Sequence, residues 1–289
     1  MKDKPLVSIV TPSYNQGRFI EDTILSVKNQ DYPNIEHIIV DGNSTDNTLD
    51  ILKKYEGTYN MRWISEPDEG QSDAVNKGFR MAKGEIIGWL NSDDVYFTKD
   101  VISYVVKEFS KSEADVIYGD HVTINENNLI LKIRHIVPWF SYARLLRVDF
   151  ICQPSTLSRR TVIQKYQLDI DLDLPMDYEF WLRIAKDDMK FKYVHRILSA
   201  DRRHTTAKTI SRWEEMKADT RKIQEEYGQK FNIRYHFLRQ FDNILFALLK
   251  ICGVKKIIEL YLHSEKQNLA FPAKFDSLLK AVLRQLFYL

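Results

Sequence analysis

The sequence predicts an α/β protein, a three-layer α/β/α domain on a mixed sheet with a C-terminal helical extension. Three observations carry this. Strand-like and helix-like runs alternate with a period of roughly 25–30 residues over the first hundred positions, as expected of parallel strands joined by right-handed crossovers. The run Glu85 to Leu90 is apolar and follows Gly84, which marks a buried central strand. From about Trp213 the chain reads as helix to its end.

Each element has a local reason. Leu6 to Thr11 is a β-rich run, and Pro12-Ser13-Tyr14-Asn15-Gln16-Gly17 is a turn. Phe19, Ile20, Thr23, Ile24 and Val27 share one helical face. Ile35 to Val40 makes a second strand closing on Asp41-Gly42. Ser44-Thr45-Asp46 caps a helix with the stripe Leu49, Ile51, Leu52 and Tyr55. Met61 to Ser65 is a strand, Gln71 to Met81 a helix, and Glu85 to Leu90 the fourth strand. A helix (Asp100 to Phe109) and a strand (Val116 to Tyr118) follow. Shorter strands around His121 to Ile124 and Leu129 to His135 suggest a mixed second half. Met176 to Ile184 reads as a helix and Phe191 to Val194 as a closing strand. The tail helices break near Gly228, Gly253 and Pro272, and the domains divide at 1–209 and 210–289.

Composition bounds the function. The net charge of +2 gives no reason to expect nucleic acid. From Ser211 onward 14 Lys/Arg face 9 Asp/Glu, or +5, leaving 2 − 5 = −3 for residues 1–210. Cys152 and Cys252 form no disulfide framework, so a reducing, cytoplasmic setting is expected. A strand begins almost at once after Met1 to Pro5, which predicts no signal peptide, and no apolar run is long enough to span a bilayer.

Four polar stretches ask for a common explanation: Thr11 to Asn15, Asp41 to Asp46, Gly70 to Asp73, and Asn91-Ser92-Asp93-Asp94. Strand exits of one parallel sheet converge on one edge, where such folds bind ligands. The set is rich in carboxylates, hydroxyls and amides, and it lacks a phosphate-loop glycine motif. Paired carboxylates at a strand exit suit a hard divalent cation shared with phosphate, although an isolated Ser-Asp-Asp is more often a cap or a turn. A nucleotide diphosphate fits that chemistry.

Tyr14-Asn15-Gln16-Gly17, Val40 to Asp46 and Trp89 to Asp94 resemble the motifs of family-2 glycosyltransferases of bacterial cell-surface polysaccharide synthesis, over roughly residues 5–210. The resemblance implies a GT-A (Rossmann-like) fold, a nucleotide-diphosphate sugar donor, inversion at the anomeric carbon, and a glycan or lipid-linked acceptor. It implies Mn2+ or Mg2+ held by Asp93, with His204 as a further ligand. Asp41 is similar to the family's base reader and favours uridine, since a carboxylate accepts the uracil N3–H. Pro12, Tyr14 and Asn15 fall on the nucleobase loop. Gln71, Asp73 and Asn76 border the sugar, and Asn91 and Ser92 precede the metal ligand. Arg202, Arg203 and Lys208 are placed to meet phosphates, and Asp177 is implied as the catalytic base. Two positions depart from the pattern: Asn91 replaces the first acidic residue of the metal motif, and Met176 replaces the Glu before Asp177.

The rivals are a nucleotidyltransferase, for which Pro12-Ser13-Tyr14-Asn15 is the wrong phosphate loop, and a non-catalytic sugar-nucleotide-binding protein. In the tail, Phe241, Ile244, Leu245, Leu248, Leu249 and Ile251 form one stripe. Phe275, Leu278, Leu279, Val282, Leu283 and Leu286 form another, with lysines and arginines between. Basic amphipathic helices suit an anionic membrane surface, and packing on the catalytic domain or in a homo-oligomer gives the same pattern.

Overall fold

The computed structural model describes residues 4–134, 139–262, 268–275 and 278–287. In chain order the elements begin with β1 (Val7–Ser13), α1 (Ile20–Lys28), β2 (Ile35–Asp41), α2 (Thr48–Tyr55), β3 (Met61–Ser65), α3 (Gln71–Met81) and β4 (Ile86–Trp89). Then come β5 (Val95–Tyr96), α4 (Val101–Ser110), β6 (Val116–Asn125), β7 (Ile130–Arg134), α5 (Tyr142–Leu145), β8 (Thr156–Arg159), α6 (Arg160–Lys165) and α7 (Met176–Lys186). The chain closes with β9 (Phe191–Arg203), α8 (Lys208–Ser211), α9 (Trp213–Glu226), α10 (Ile233–Leu262) and α11 (Leu278–Phe287).

The strands form one sheet in the order β3-β2-β1-β4-β8-β6-β9-β5, with β7 also pairing β6. The pairs among β1, β2, β3 and β4 are parallel. Antiparallel β8 then separates β4 from β6. Alternation along the strands divides the core between two faces. Val10, Ile38 and Val40 pack with α3, α6 and α7, whereas Ile9 and Ile39 turn to the face covered by α1, α2 and α4. This is the expected three-layer mixed sheet. Gly88 leaves no room for a side chain, since a Cβ there would meet the Tyr96 hydroxyl at 2.5 Å.

The first half follows the sequence reading to within a residue or two. The second half differs in length and partners. The segments read as separate strands at Val116 and His121 are one ten-residue strand, and β9 runs to Arg203 rather than stopping at Val194. β5 and β8 went unseen, each being too short to show a period. His135 lies outside the described residues.

The tail joins the sheet. Ile257, Phe271 and Ala281 share a core cluster with Phe97, Val122, Ile130 and Ile133. Both ends of the Gln285 amide bond the Ile133 backbone at 2.8 Å. Gly253 does not break α10. The side chains of Leu249, Ile251, Leu278, Leu279 and Leu283 lie outside the described residues.

Candidate active site

β1 and β2 end together, with Ser13 opposite Asp41, and β4 ends beside them with Trp89 opposite Val10. Their exits therefore share one edge. Asn15 and Asn43 take φ of 52° and 64°, a left-handed conformation that asparagine tolerates. This geometry lets two loops clamp each other. The Asn15 backbone N–H donates to Ser44 Oγ at 2.7 Å, while Asn15 Oδ1 accepts from the Thr45 N–H at 2.8 Å. Tyr14 is left 60% exposed on the outside, and Pro12 is buried within β1.

Asp41 is fully buried. Its carboxylate accepts from the Ser44 N–H (2.8 Å), Ser44 Oγ (2.5 Å) and Ser65 Oγ (2.7 Å). Of its roughly four lone-pair positions, about one is left for a ligand. The residue holds the loop whatever else it does.

At the β4 exit, Asp93 Oδ2 lies 3.0 Å from His204 Nε2. The imidazole is fixed from behind by Thr206 Oγ1, 2.7 Å from Nδ1, and packs on the Phe19 ring at 4.7 Å between centroids. A proton or a cation must stand between a carboxylate oxygen and a ring nitrogen at that distance. An oriented imidazole beside a carboxylate is a donor set that a divalent cation can use, so these residues fit one. Asp94 is not arranged as a ligand. It is buried and accepts from the Arg202 N–H at 2.9 Å, and burial, then the charge of Asp93, hold its carboxyl well above the usual range.

Arg202 corrects the sequence reading. Its side chain faces inward and bonds the Asp93 carbonyl (2.7 Å), the Asn125 carbonyl (3.2 Å), Asn128 Oδ1 (2.5 Å) and Asp22 Oδ2 (3.1 Å), so no donor face is offered to a phosphate. Thr23 Oγ1 completes the frame by donating to the carbonyls of Ser92 (2.9 Å) and Asp94 (2.7 Å), and Ser92 itself is buried. Strand alternation leaves Arg203 exposed, while Lys208 is bonded to Asp173.

Asn91 has a structural reason not to be an aspartate. Its Oδ1 accepts from Trp89 Nε1 and Gln71 Nε2, each at 2.9 Å, and its Nδ2 donates to Gln153 Oε1 at 3.0 Å. A carboxylate could not make the last bond and would set a second charge beside Asp94. Gln153, which no periodic pattern marks, is the missed member, and it also donates to the Trp89 carbonyl at 2.6 Å. Asp73 pairs with Lys77 at 3.2 Å along α3, and Asn76 bonds the Leu168 backbone through both ends of its amide at 2.8 Å. Neither offers its polar atoms freely to a sugar.

Asp177 opens α7 and accepts its neighbour's Tyr178 N–H at 2.9 Å, and burial raises its carboxyl above the ordinary range. The Cys152 thiol is held well above its usual value. Burial raises it first, and then the charges of Asp201, Asp94, Asp149 and Asp177. Among the described residues, His121, Cys152 and Asp201 bring three further donor atoms within 4.8 Å of one another. A thiol held protonated in that field is a poor metal ligand, so Asp93 and His204 are the better pair.

The sequence model of glycosyl transferase family 2 matches residues 8–165. The hyaluronan synthase of Pasteurella multocida is 26% identical over 83% of this chain, which spans 25% of that protein's length. An Escherichia coli UDP-Glc:alpha-D-GlcNAc-diphosphoundecaprenol beta-1,3-glucosyltransferase, WfgD, is 29% identical over 64% of this chain and 72% of its own. The mannosyltransferase PcManGT of Pyrobaculum calidifontis, solved with GDP-Man and Mn2+, superposes with a TM-score of 0.60 over 98% of this chain and 79% of its own, at 16% identity. That likeness shows the GT-A fold expected above. The family's match begins inside β1 and ends with α6, taking in both clamped loops and the Asp93 turn, and the chain belongs to glycosyl transferase family 2.

Proposed function

We propose that this chain transfers a sugar from a nucleotide-diphosphate sugar, with uridine favoured, to a hydroxyl of a glycan or lipid-linked acceptor in surface-polysaccharide synthesis, with inversion. The observation that carries the reading is the Asp93–His204 pair, 3.0 Å apart at the exit of the central strand and framed by buried Arg202. The named relatives support the reaction class. One is by name a UDP-glucose-dependent transferase acting on a diphosphoundecaprenol-linked sugar.

In this reading Asp93 and His204 hold Mn2+ or Mg2+, the imidazole favouring Mn2+. When bound, the cation neutralises the diphosphate and makes it a better leaving group. The protein's own residues do the rest. Tyr14, Pro12 and the last lone pair of Asp41 face the nucleobase, and Asn15, Gln71, Asn91 and Arg203 line the donor. Asp177 takes the acceptor hydroxyl's proton as that oxygen attacks the anomeric carbon, and the bond from that carbon to the diphosphate oxygen breaks. The nucleoside diphosphate departs with that electron pair.

The test is donor hydrolysis and nucleotide-sugar binding with added Mn2+ and with chelator, on the wild type and Asp93→Ala. The expected result is turnover that chelator abolishes, and a variant whose residual nucleotide binding ignores Mn2+. Full turnover in excess chelator would remove the metal assignment.

A further inference from the structure

The two apolar stripes of the tail part company in the structure. The helix α11 belongs to the fold: Ala281 is fully buried, Gln285 is clipped to β7, and Phe275 and Val282 of the stripe pack on the same cluster. The first half of α10 does the opposite. Ile233, Phe237, Phe241, Ile244 and Leu248 are 88%, 73%, 55%, 60% and 55% exposed. Their spacing of 4, 4, 3 and 4 residues keeps them on one side of the helix for about 23 Å. Five large apolar side chains in one line are far from scattered surface residues, and a patch of that kind marks an interaction site.

Charge selects the occupant. The helix α10, residues 233–262, holds five Lys/Arg against Glu259 near its end and one acid in its first half, Asp242, a net of +3. That acid is turned inward and fully buried, paired with Arg144 at 3.0 Å and Arg147 at 2.9 Å. Arg234 and Lys255 are exposed on the same helix. The helix that bears the stripe thus carries a net positive charge. Two copies paired along α10 would need complementary flanking charges and would instead set +3 against +3. An anionic bilayer supplies the missing sign and takes up the apolar line. No described helix is long and apolar enough to cross a membrane, so α10 would lie along the surface.

We infer that the N-terminal half of α10 is a membrane-docking face, seating Phe237 and Phe241 in the headgroup boundary of an anionic bilayer. The inference needs only the exposed stripe and its charge, and stands apart from the catalytic reading. A lipid-linked acceptor would give it a purpose.

Flotation of the full chain with phosphatidylcholine vesicles, with and without phosphatidylglycerol, tests it. Binding should require phosphatidylglycerol and weaken as salt is raised, since exposed charges are screened beyond about 8 Å at physiological ionic strength. Phe237→Asp with Phe241→Asp should reduce vesicle affinity at least about tenfold, while thermal stabilisation by nucleotide sugar stays at the wild-type value. Ile244→Ser with Leu248→Ser is a gentler second pair with the same expected direction, should the first impair folding. Absence of flotation at low salt in a chain that melts cooperatively would overturn the inference. So would a wild-type dimer that these substitutions convert to monomer without changing vesicle binding, because a second copy would then hold the face. Failure of donor hydrolysis with flotation intact would count against the catalytic reading alone.

Discussion

At the scale of single residues, Asp177 is where chemistry and environment meet. Burial raises its carboxyl above the ordinary value of 3.8. A base works only when deprotonated, so turnover should fall as pH drops through that raised value. The acid limb of the rate profile should therefore lie above the pH at which an exposed aspartate titrates. Asp177→Asn keeps the shape and removes the basicity, and should cost on the order of 10²–10⁴ in kcat. Nucleotide-sugar affinity should stay near wild type. If affinity collapses with turnover, the residue holds structure or ligand rather than a proton. Which residues gather at the strand exits was largely legible from motif order, as with Asp93, His204 and Asn15. Their availability was not. Arg202, Asp73 and Asn76 have the right chemistry for a ligand, yet their polar atoms are engaged by Asp22, Lys77 and Leu168.

At the scale of elements, the C-terminal helices are the informative case. Read as sequence, both stripes were equally fit for a membrane or a core. The structure sends α11 to the core with Phe271, and leaves the first half of α10 exposed. A chain ending before Asn232 would lose Ile257, Phe271 and Ala281 from the cluster that covers β6 and β7. Removing a buried phenylalanine side chain alone typically costs about 3–5 kcal/mol. The truncated chain should therefore show a markedly lower denaturation midpoint in urea, and insolubility on heating, rather than behave as a free-standing catalytic domain. An unchanged midpoint would mean the tail only rests on the sheet. Strand alternation explains a smaller miss: Arg202 and Arg203 are neighbours in sequence, and β9 sends one inward and the other to solvent.

At the scale of the whole molecule, two buried histidines tie stability to pH. His37 is fully buried between Thr11 Oγ1 at 2.9 Å and the Tyr59 hydroxyl at 2.6 Å, and burial lowers its pKa from 6.5 to about 3. His121 falls from 6.5 to about 4, chiefly through burial. Asp201 and Asp120 pull it up, and Arg134 and Lys132 push it down. Both are neutral in the folded state and bind a proton more readily when unfolded. Their contribution is therefore complete above about 6.5 and is lost as pH falls toward the folded values. The buried carboxyls of Asp94, Asp149 and Asp177, held above the ordinary range, act in the opposite sense, because they bind protons more readily in the folded state. Urea unfolding at a series of pH values isolates the histidine part by difference: His37→Gln, if the variant folds, should lose less stability than the wild type between pH 7 and 5. The same pH dependence in His37→Gln and the wild type would contradict the burial argument.

By itself the sequence determined the alternation of strands and helices, the turns after β1 and β2, the carboxylates at the β4 exit and the family they belong to. These depend on period, turn chemistry and motif order, all of which act within a few residues. Only the tertiary structure decided which polar atoms remain for a ligand, why position 91 is an amide, and which tail helix faces water. Those outcomes rest on partners far apart in the chain, such as Arg202 with Asp22, Gln153 with Asn91, and Gln285 with Ile133. A hydrogen bond between distant segments leaves no trace in the local pattern of either, because period and turn chemistry report only on near neighbours, while the partner of a buried polar atom is set when the segments pack.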